Sequence, residues 1–576
     1  MFRALSLVLV CALTGACERT PKPSSSPNET EKRSAEALVS LAPAPLKPLE
    51  LSQVPFPSEA ARLQLFDELV SEMARLDAEA MEARRLRSEP WEQTLRRLRV
   101  EMAASRSFSE MARVLSRVDA SYTNLHSHVN FVAEGPWFEP GSVQPRAWVA
   151  TEITPSGESR FVLELSDSSW QTPELLGLVS GDEVVSLNGR SLREWSEENF
   201  NFCKFPLKLQ CDQELFENLV NDLLSWRRTD PLKFGVRHSD GHELVIDVPY
   251  SIKRSTSEER EARSRKRLER LECARSADRY PGFTLAYAGN RACVFEKDGE
   301  PATAILRITS FSYNSSSLFP EQKIRSLRQE VALLESFWMK HAEAWTHLVI
   351  DVVDNTGGNA PIPYYQLLFE DDFQEQFYRL KRVPEMEDPS FFESLVWEDP
   401  AQLRTYALLK KEGLWAKTGF GELLPQLPMF CLDESRDCRR SMFSPKPHPF
   451  NGRVSLLMNR MCISSCDGFV WAVSRVMGAR ARLFGQPQAA DSTYSRARID
   501  VEWTEDDGIS TRVMNQHSPV SSKVLFSQVV ALSLSTDEQG RSIAGRPLPL
   551  TRFVGSSPLD RRAWVTRVLE AALATP

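Results

Sequence analysis

Val454-Ser455-Leu456-Leu457-Met458-Asn459-Arg460-Met461-Cys462-Ile463-Ser464-Ser465-Cys466-Asp467-Gly468-Phe469 is the stretch on which the reading of this chain turns. Val454 to Met458 is mostly apolar and short, the pattern of a buried strand, whereas Val470 to Met477 has the pattern of a helix. The polar residues between them lie where a strand hands over to a helix. A serine there faces the positive end of the helix dipole, which stabilises negative charge developing on its oxygen. The same place also suits a plain N-cap hydroxyl. Ser464 is therefore a candidate nucleophile only if other parts of the chain converge on it.

Upstream, Leu348 to Val353 reads as a second buried strand, followed directly by Asp354-Asn355-Thr356-Gly357-Gly358-Asn359. Paired glycines let backbone N–H groups come close to a substrate carbonyl, although Gly-Gly after a strand is more often just a turn. Ala304 to Ile308 is a third strand. Pro320 to His341 reads as a long amphipathic helix, with Ile324, Leu327, Val331, Leu334 and Phe337 on one face. Residues 562–574 form a closing helix. Strands alternating with helices predict an α/β core over 283–575. A stretch rich in aromatics and prolines, about 384–450, is inserted into it.

The N-terminal half reads differently. Ser58 is a helix N-cap, Pro90 opens a second helix, and Phe108 to Val118 marks a third, giving a helical subdomain over 57–135. Trp148 to Ala150 and Phe161 to Leu165 are strands. Gly181-Asp182 is a turn, Val184 to Leu187 a strand, and Asn188-Gly189 a tight hairpin signal. Leu232 to Val236 and Leu244 to Val248 close a β-rich domain over 140–250, with an insertion at about 197–228 carrying Cys203 and Cys211. Residues 251–282 are a charged connector.

Taken together, the motifs resemble those of the tail-specific, carboxyl-terminal-processing proteases, the tricorn-like serine peptidases with a PDZ domain. The Gly-Leu, Gly-Asp and Asn-Gly spacing of 177–189 resembles a bacterial PDZ domain. Asp351 to Gly358 resembles the family's Asp-Leu-Arg-x-Asn-x-Gly-Gly signature, and Ser464 to Asp467 its Ser-Ala-(Ser/Ala)-Glu nucleophile segment. Asn124-Leu125-His126-Ser127-His128 resembles the segment that carries the tricorn-like general base. The resemblance implies an α/β, multi-domain fold and peptide hydrolysis through an acyl-enzyme. Ser464 would be the nucleophile and His126 the base, with His128 in reserve. Gly357 or Gly358, together with Ser465, would form the oxyanion hole. No cofactor is implied, and the substrates would be envelope proteins or peptides.

Two departures bear on activity. Asp491 in Gly485-Gln486-Pro487-Gln488-Ala489-Ala490-Asp491 stands where the Ser-Lys branch has its lysine. Ala544 stands where the tricorn-like branch has its glutamate. Glu538, Asp537, Glu502 or Asp491 could orient the histidine instead, and the sequence does not select among them. The alternative reading is an inactive relative that binds peptides or scaffolds partners.

The first 56 residues point to export. Arg3 precedes the apolar run Ala4 to Leu13, too short to span a bilayer, and Thr14-Gly15-Ala16-Cys17 resembles a lipobox, with Cys17 as the lipidated residue. An ordinary cleaved signal peptide is the alternative. Glu18 after the cysteine points to the outer membrane. Residues 18–56, rich in proline and serine, read as a flexible tether. An oxidising compartment suits the eight cysteines that follow Cys17, of which Cys203/Cys211 and Cys431/Cys438 are expected to pair locally. The 70 basic and 78 acidic residues give a net charge of −8, which argues against a nucleic-acid partner. Of the 576 residues, 42% are hydrophobic, enough for a large core without a metal. Nothing in the sequence sets an oligomeric state.

Overall fold

The computed structural model describes residues 54–575 with internal gaps, the longest at 80–89, 166–177, 215–231, 314–323 and 433–441 and over most of 254–271. The expected signal segment, the expected lipidation site Cys17 and the tether up to residue 53 lie outside the described residues, as do 15 of the 32 connector residues.

The central sheet has seven strands. In spatial order they are Phe283–Ala288, Ala292–Lys297, Thr303–Ile308, His347–Asp351, Arg453–Met458, Ala481–Gly485 and Arg552–Phe553. The first three pair antiparallel and the rest run parallel. Both faces of the inner strands are covered, so these carry nearly unbroken apolar runs, as central parallel strands do, whereas the edge strand Phe283–Ala288 is largely exposed. On one face the helices Leu327–His341 and Ser465–Met477 bury Leu334, Trp338, Phe469 and Val470. On the other, the C-terminal helix Arg561–Leu573 buries Trp564, Val565 and Val568. The helix expected from Pro320 starts only at Leu327. There the Ser326 hydroxyl accepts from the Gln329 N–H, and a capping serine fixes a boundary better than an apolar pattern does.

Parallel register places Asp351 beside Leu457, and Met458 beside Gly485. The loops that follow these three strands therefore emerge along one edge, the side on which open α/β sheets gather their binding groups. The segment carrying Ser464, the Gly-Gly loop and the segment ending at Asp491 are those three loops.

A second sheet brings the N-terminal part to the same edge. The short strand His128–Phe131 pairs with Val524–Ala531, which pairs with Arg496–Thr504 and then Gly508–Asn515, all antiparallel. The three N-terminal helices, Glu59–Leu76, Trp91–Ala104 and Phe108–Ala120, share one core with this sheet. Ser58 caps the first through the Ala61 N–H, and Ser107 caps the third through the Glu110 N–H.

The range where a PDZ-like domain is expected holds a separate sheet. Its strands are Ala147–Ile153, Ser159–Leu165, Glu183–Leu187, Leu232–Arg237 and Glu243–Val248, with Arg190–Ser191 paired to the third across Asn188-Gly189. Both turn residues have positive φ, 49° and 79°, as this two-residue hairpin requires. Within the 384–450 stretch, the helices Pro389–Leu395 and Pro400–Lys411 pack their apolar residues onto the core beneath the histidine sheet.

Candidate active site

Ser464 has φ 61° and ψ −129°, immediately before the helix Ser465–Met477. A non-glycine residue adopts such a backbone only when its surroundings impose it, at a cost of about 1–3 kcal/mol. Three constraints are visible. The Ser464 N–H donates to the Asp491 carbonyl at 2.7 Å, and the Gly468 N–H donates to the Ser464 carbonyl at 3.0 Å. A disulfide joins Cys462 to Cys466 across the serine, with Cα atoms 5.1 Å apart.

The glycine loop lies against this turn. Gly357 has φ 86°, and a Cβ there would come within 2.7 Å of the Ser464 Cβ and 2.6 Å of the Ile463 carbonyl oxygen. Only glycine allows this approach. The Gly357 N–H donates to Asn355 Oδ1 at 2.9 Å, while the Gly357 carbonyl accepts from the Phe311 N–H at 3.1 Å. Gly358 has φ 136° and is exposed, and its carbonyl accepts from the Ser465 hydroxyl at 2.7 Å. Among the described residues, neither the Gly358 nor the Ser465 N–H donates to a protein acceptor. Of the two glycines, Gly358 thus has the open donor.

His126 is brought to the same place. The Asn124 side-chain oxygen accepts from the His126 and Ser127 N–H groups at 2.8 and 2.9 Å, an Asx turn that sets the backbone of the histidine. His126 Nδ1 lies 2.9 Å from Asp491 Oδ1. Asp491 is 1% exposed, and its other carboxylate oxygen accepts from the Leu125 N–H. The Thr493 N–H donates to Oδ1 at 3.1 Å. Burial alone would raise the Asp491 pKa. The facing His126 and these donors outweigh it and hold the carboxyl below the usual range. Asp491 thus fixes Ser464 through its carbonyl and His126 through its carboxylate. Of the four carboxylates open in the sequence, it is the one on the imidazole. Asp537 binds Arg541, and Glu538 pairs with Arg475.

His128 sits differently. Its Nδ1 lies 3.0 Å from the His126 carbonyl oxygen and its Nε2 is buried without a partner. Burial pushes its pKa down to about 4.

Further carboxyls surround the pair. Asp467 is buried with Oδ1 unpartnered, and burial and the nearby Asp491 push its pKa well up. Burial, together with Asp491, raises Glu79 as well; it accepts from the Asn124 amide at 2.8 Å and from the Thr493 hydroxyl at 3.1 Å. Burial thus works against charge on both groups, whereas His126 and the backbone donors favour the charged form of Asp491.

The insertion in the PDZ-like range docks here. The disulfide Cys203–Cys211 packs with Phe205 and Ala489 against Leu125 and Ile463, the residues preceding His126 and Ser464. Gln210 Nε2 donates to the carbonyls of Pro487 and Gln488, and Lys204 Nζ to that of Ser127. Nothing in the sequence marked this contact, because it joins segments 77 to 278 residues apart. The Cys462–Cys466 bond was also not foreseen, whereas Cys203 pairs with Cys211 as expected. Cys431 is disulfide-bonded, while Cys438 lies outside the described residues. Cys273 pairs with Cys293. Among the described residues no cluster of His, Cys, Asp and Glu could hold a metal, and no helix is long and apolar enough to cross a membrane.

No family profile matches this sequence, and no curated protein is significantly similar to it. Solved structures are similar. Mature CPAF aligns over 88% of this chain and 95% of its own, with TM-score 0.57 and 14% identity. Mature CPAF complexed with lactacystin aligns over 89% and 97%, with TM-score 0.56 and 14% identity. The photosystem II D1 C-terminal processing protease aligns over 88% and 97% at TM-score 0.32 and 12% identity, too low to argue from. Over 88% of its length, the chain shares the fold of mature CPAF.

Proposed function

We propose that this chain is a serine peptidase with Ser464 as nucleophile, His126 as general base and Asp491 as the carboxylate that orients it. The observation that carries the reading is the double hold of Asp491, on the Ser464 N–H and on the His126 ring. With Nδ1 engaged by the carboxylate, the imidazole presents Nε2 as the nitrogen that takes the serine proton. The oxyanion of the tetrahedral intermediates that lead to and from the acyl-enzyme is bound by the N–H groups of Gly358 and Ser465, with Gly357 serving the close fit of the loop. His126 then returns the proton to the leaving amine, and water, activated the same way, releases the acid. The substrates are proteins or peptides. The β-rich domain at 140–250 acts as a PDZ module that captures an extended segment.

The deciding experiment is labelling with a fluorophosphonate probe. The full chain should label at one serine, and Ser464→Ala should abolish labelling without loss of fold. Folded protein that never labels would leave a peptide-holding relative of the peptidases as the better description.

We further propose that Cys17 is lipidated and holds the protein in the cell envelope. Metabolic labelling with a fatty-acid analogue should be lost in Cys17→Ser; labelling that persists excludes this anchor.

A further inference from the structure

We propose that Cys462 and Cys466 are positioning residues for Ser464: their disulfide clamps the serine turn, so that turnover depends on this bond being oxidised. The inference rests on the peptidase reading and adds a control to it.

The bond closes a ring of five residues, Cys462 to Cys466, with Ser464 at its centre. One end is fixed to the strand side, where the Cys462 N–H donates to the Asn459 carbonyl and the Cys462 carbonyl accepts from the Ala489 N–H. The other end lies in the first turn of the helix, where the Cys466 N–H donates to the Ile463 carbonyl at 3.1 Å. Both sulfurs are fully buried in the core that contains Phe311 and Phe469. Two thiols would occupy nearly the same apolar space, and free cysteine packs as a small hydrophobe. Losing the bond therefore leaves the sheet and helix intact and acts on the turn. What it frees is the backbone of Ser464 at φ 61°, which tends to relax toward an ordinary N-cap conformation. The hydroxyl then shifts with the backbone that carries it, and a displacement of about 1 Å suffices to cost about 100-fold in rate. Reduction is a two-electron step. A dithiol gives two electrons and two protons to the Cys462 and Cys466 sulfurs and leaves as its own disulfide.

The test uses the purified full chain, fluorophosphonate labelling of Ser464, and turnover of fluorescein-labelled casein. Labelling of the oxidised chain, absent in Ser464→Ala, establishes the peptidase reading independently. The clamp then predicts at least 10-fold slower labelling and lower kcat, with KM within about twofold, in Cys462→Ala/Cys466→Ala. Mildly reduced wild type, with alkylation at Cys462 and Cys466 confirmed by mass spectrometry on a parallel sample, should slow equally and recover on re-oxidation. That reversible arm decides should the double variant fail to fold. Rates unchanged with both thiols free overturn the clamp while leaving the peptidase standing. Faster labelling after reduction overturns it too, because the bond would then be a lock. A folded double variant that still loses rate with reductant assigns the effect to another disulfide and ends the proposal. An oxidised chain that never labels removes the peptidase reading, and the clamp with it.

Discussion

His126 and Asp491 stand 365 positions apart and meet at 2.9 Å between Nδ1 and Oδ1. The contact exists because the strand His128–Phe131 is sewn into a sheet made from residues 496–531, just beyond Asp491. A carboxylate on Nδ1 selects the tautomer that leaves Nε2 as base and stabilises the imidazolium that forms.

Asp491→Asn should therefore lower kcat by about 10³–10⁴-fold with little change in KM, since the amide keeps the shape but favours the wrong tautomer. Casein hydrolysis at several concentrations measures both terms. A loss below 10-fold would show that Asp491 is not the orienting group.

Gly358→Ala should lower kcat by about 100-fold, because the added Cβ would sit 2.4 Å from the Ser312 N and must push the loop, carrying the Gly358 N–H off the oxyanion. The fluorophosphonate labelling rate of Ser464 follows this directly. An unchanged rate would assign the donor elsewhere.

Much of this was readable in advance. The strands at 304–308, 348–353 and 454–458, the glycine loop and Ser464 are local patterns, and the structure places them as adjacent strands and neighbouring loops. Asp491 stood among four carboxylates because its choice depends on closing a sheet across most of the chain, which no local spacing encodes. The Cys462–Cys466 bond was missed for a related reason. A spacing of four at a helix start looks like ordinary helical burial, and only the turn at Ser464 brings the sulfurs together. Which glycine offers its N–H depended on Asn355, whose side chain folds back on Gly357 two residues later.

His128 predicts an acid-sensitive fold. Burial, its largest influence, holds its pKa at about 4 in the folded chain, against 6.5 when free. A depressed histidine contributes stability that is complete above pH 6.5 and is lost as pH falls toward 4, because the unfolded chain takes the proton first. The shift corresponds to about 3 kcal/mol. Urea unfolding at pH 7 and pH 4.5 should show a smaller loss in His128→Gln than in wild type. Equal losses would remove His128 as a cause.

Lys204 tests the docked insertion. Its ammonium lies 2.6 Å from Asp119 Oδ2, and both side chains are largely buried. Lys204→Met leaves a buried carboxylate with less compensation and should cost about 3 kcal/mol in unfolding free energy. It should also slow Ser464 labelling, because the same ammonium holds the Ser127 carbonyl next to His126. Loss of stability without slower labelling would make the insertion a structural prop alone.

The pairing of His128–Phe131 with Val524–Ala531 has a consequence for the chain's birth. A chain synthesised only as far as residue 490 contains His126 and Ser464 but neither Asp491 nor the sheet that brings them together. The proposed hydrolytic centre therefore cannot assemble before the strands Arg496–Thr504 and Val524–Ala531 have been made, long after His126 itself.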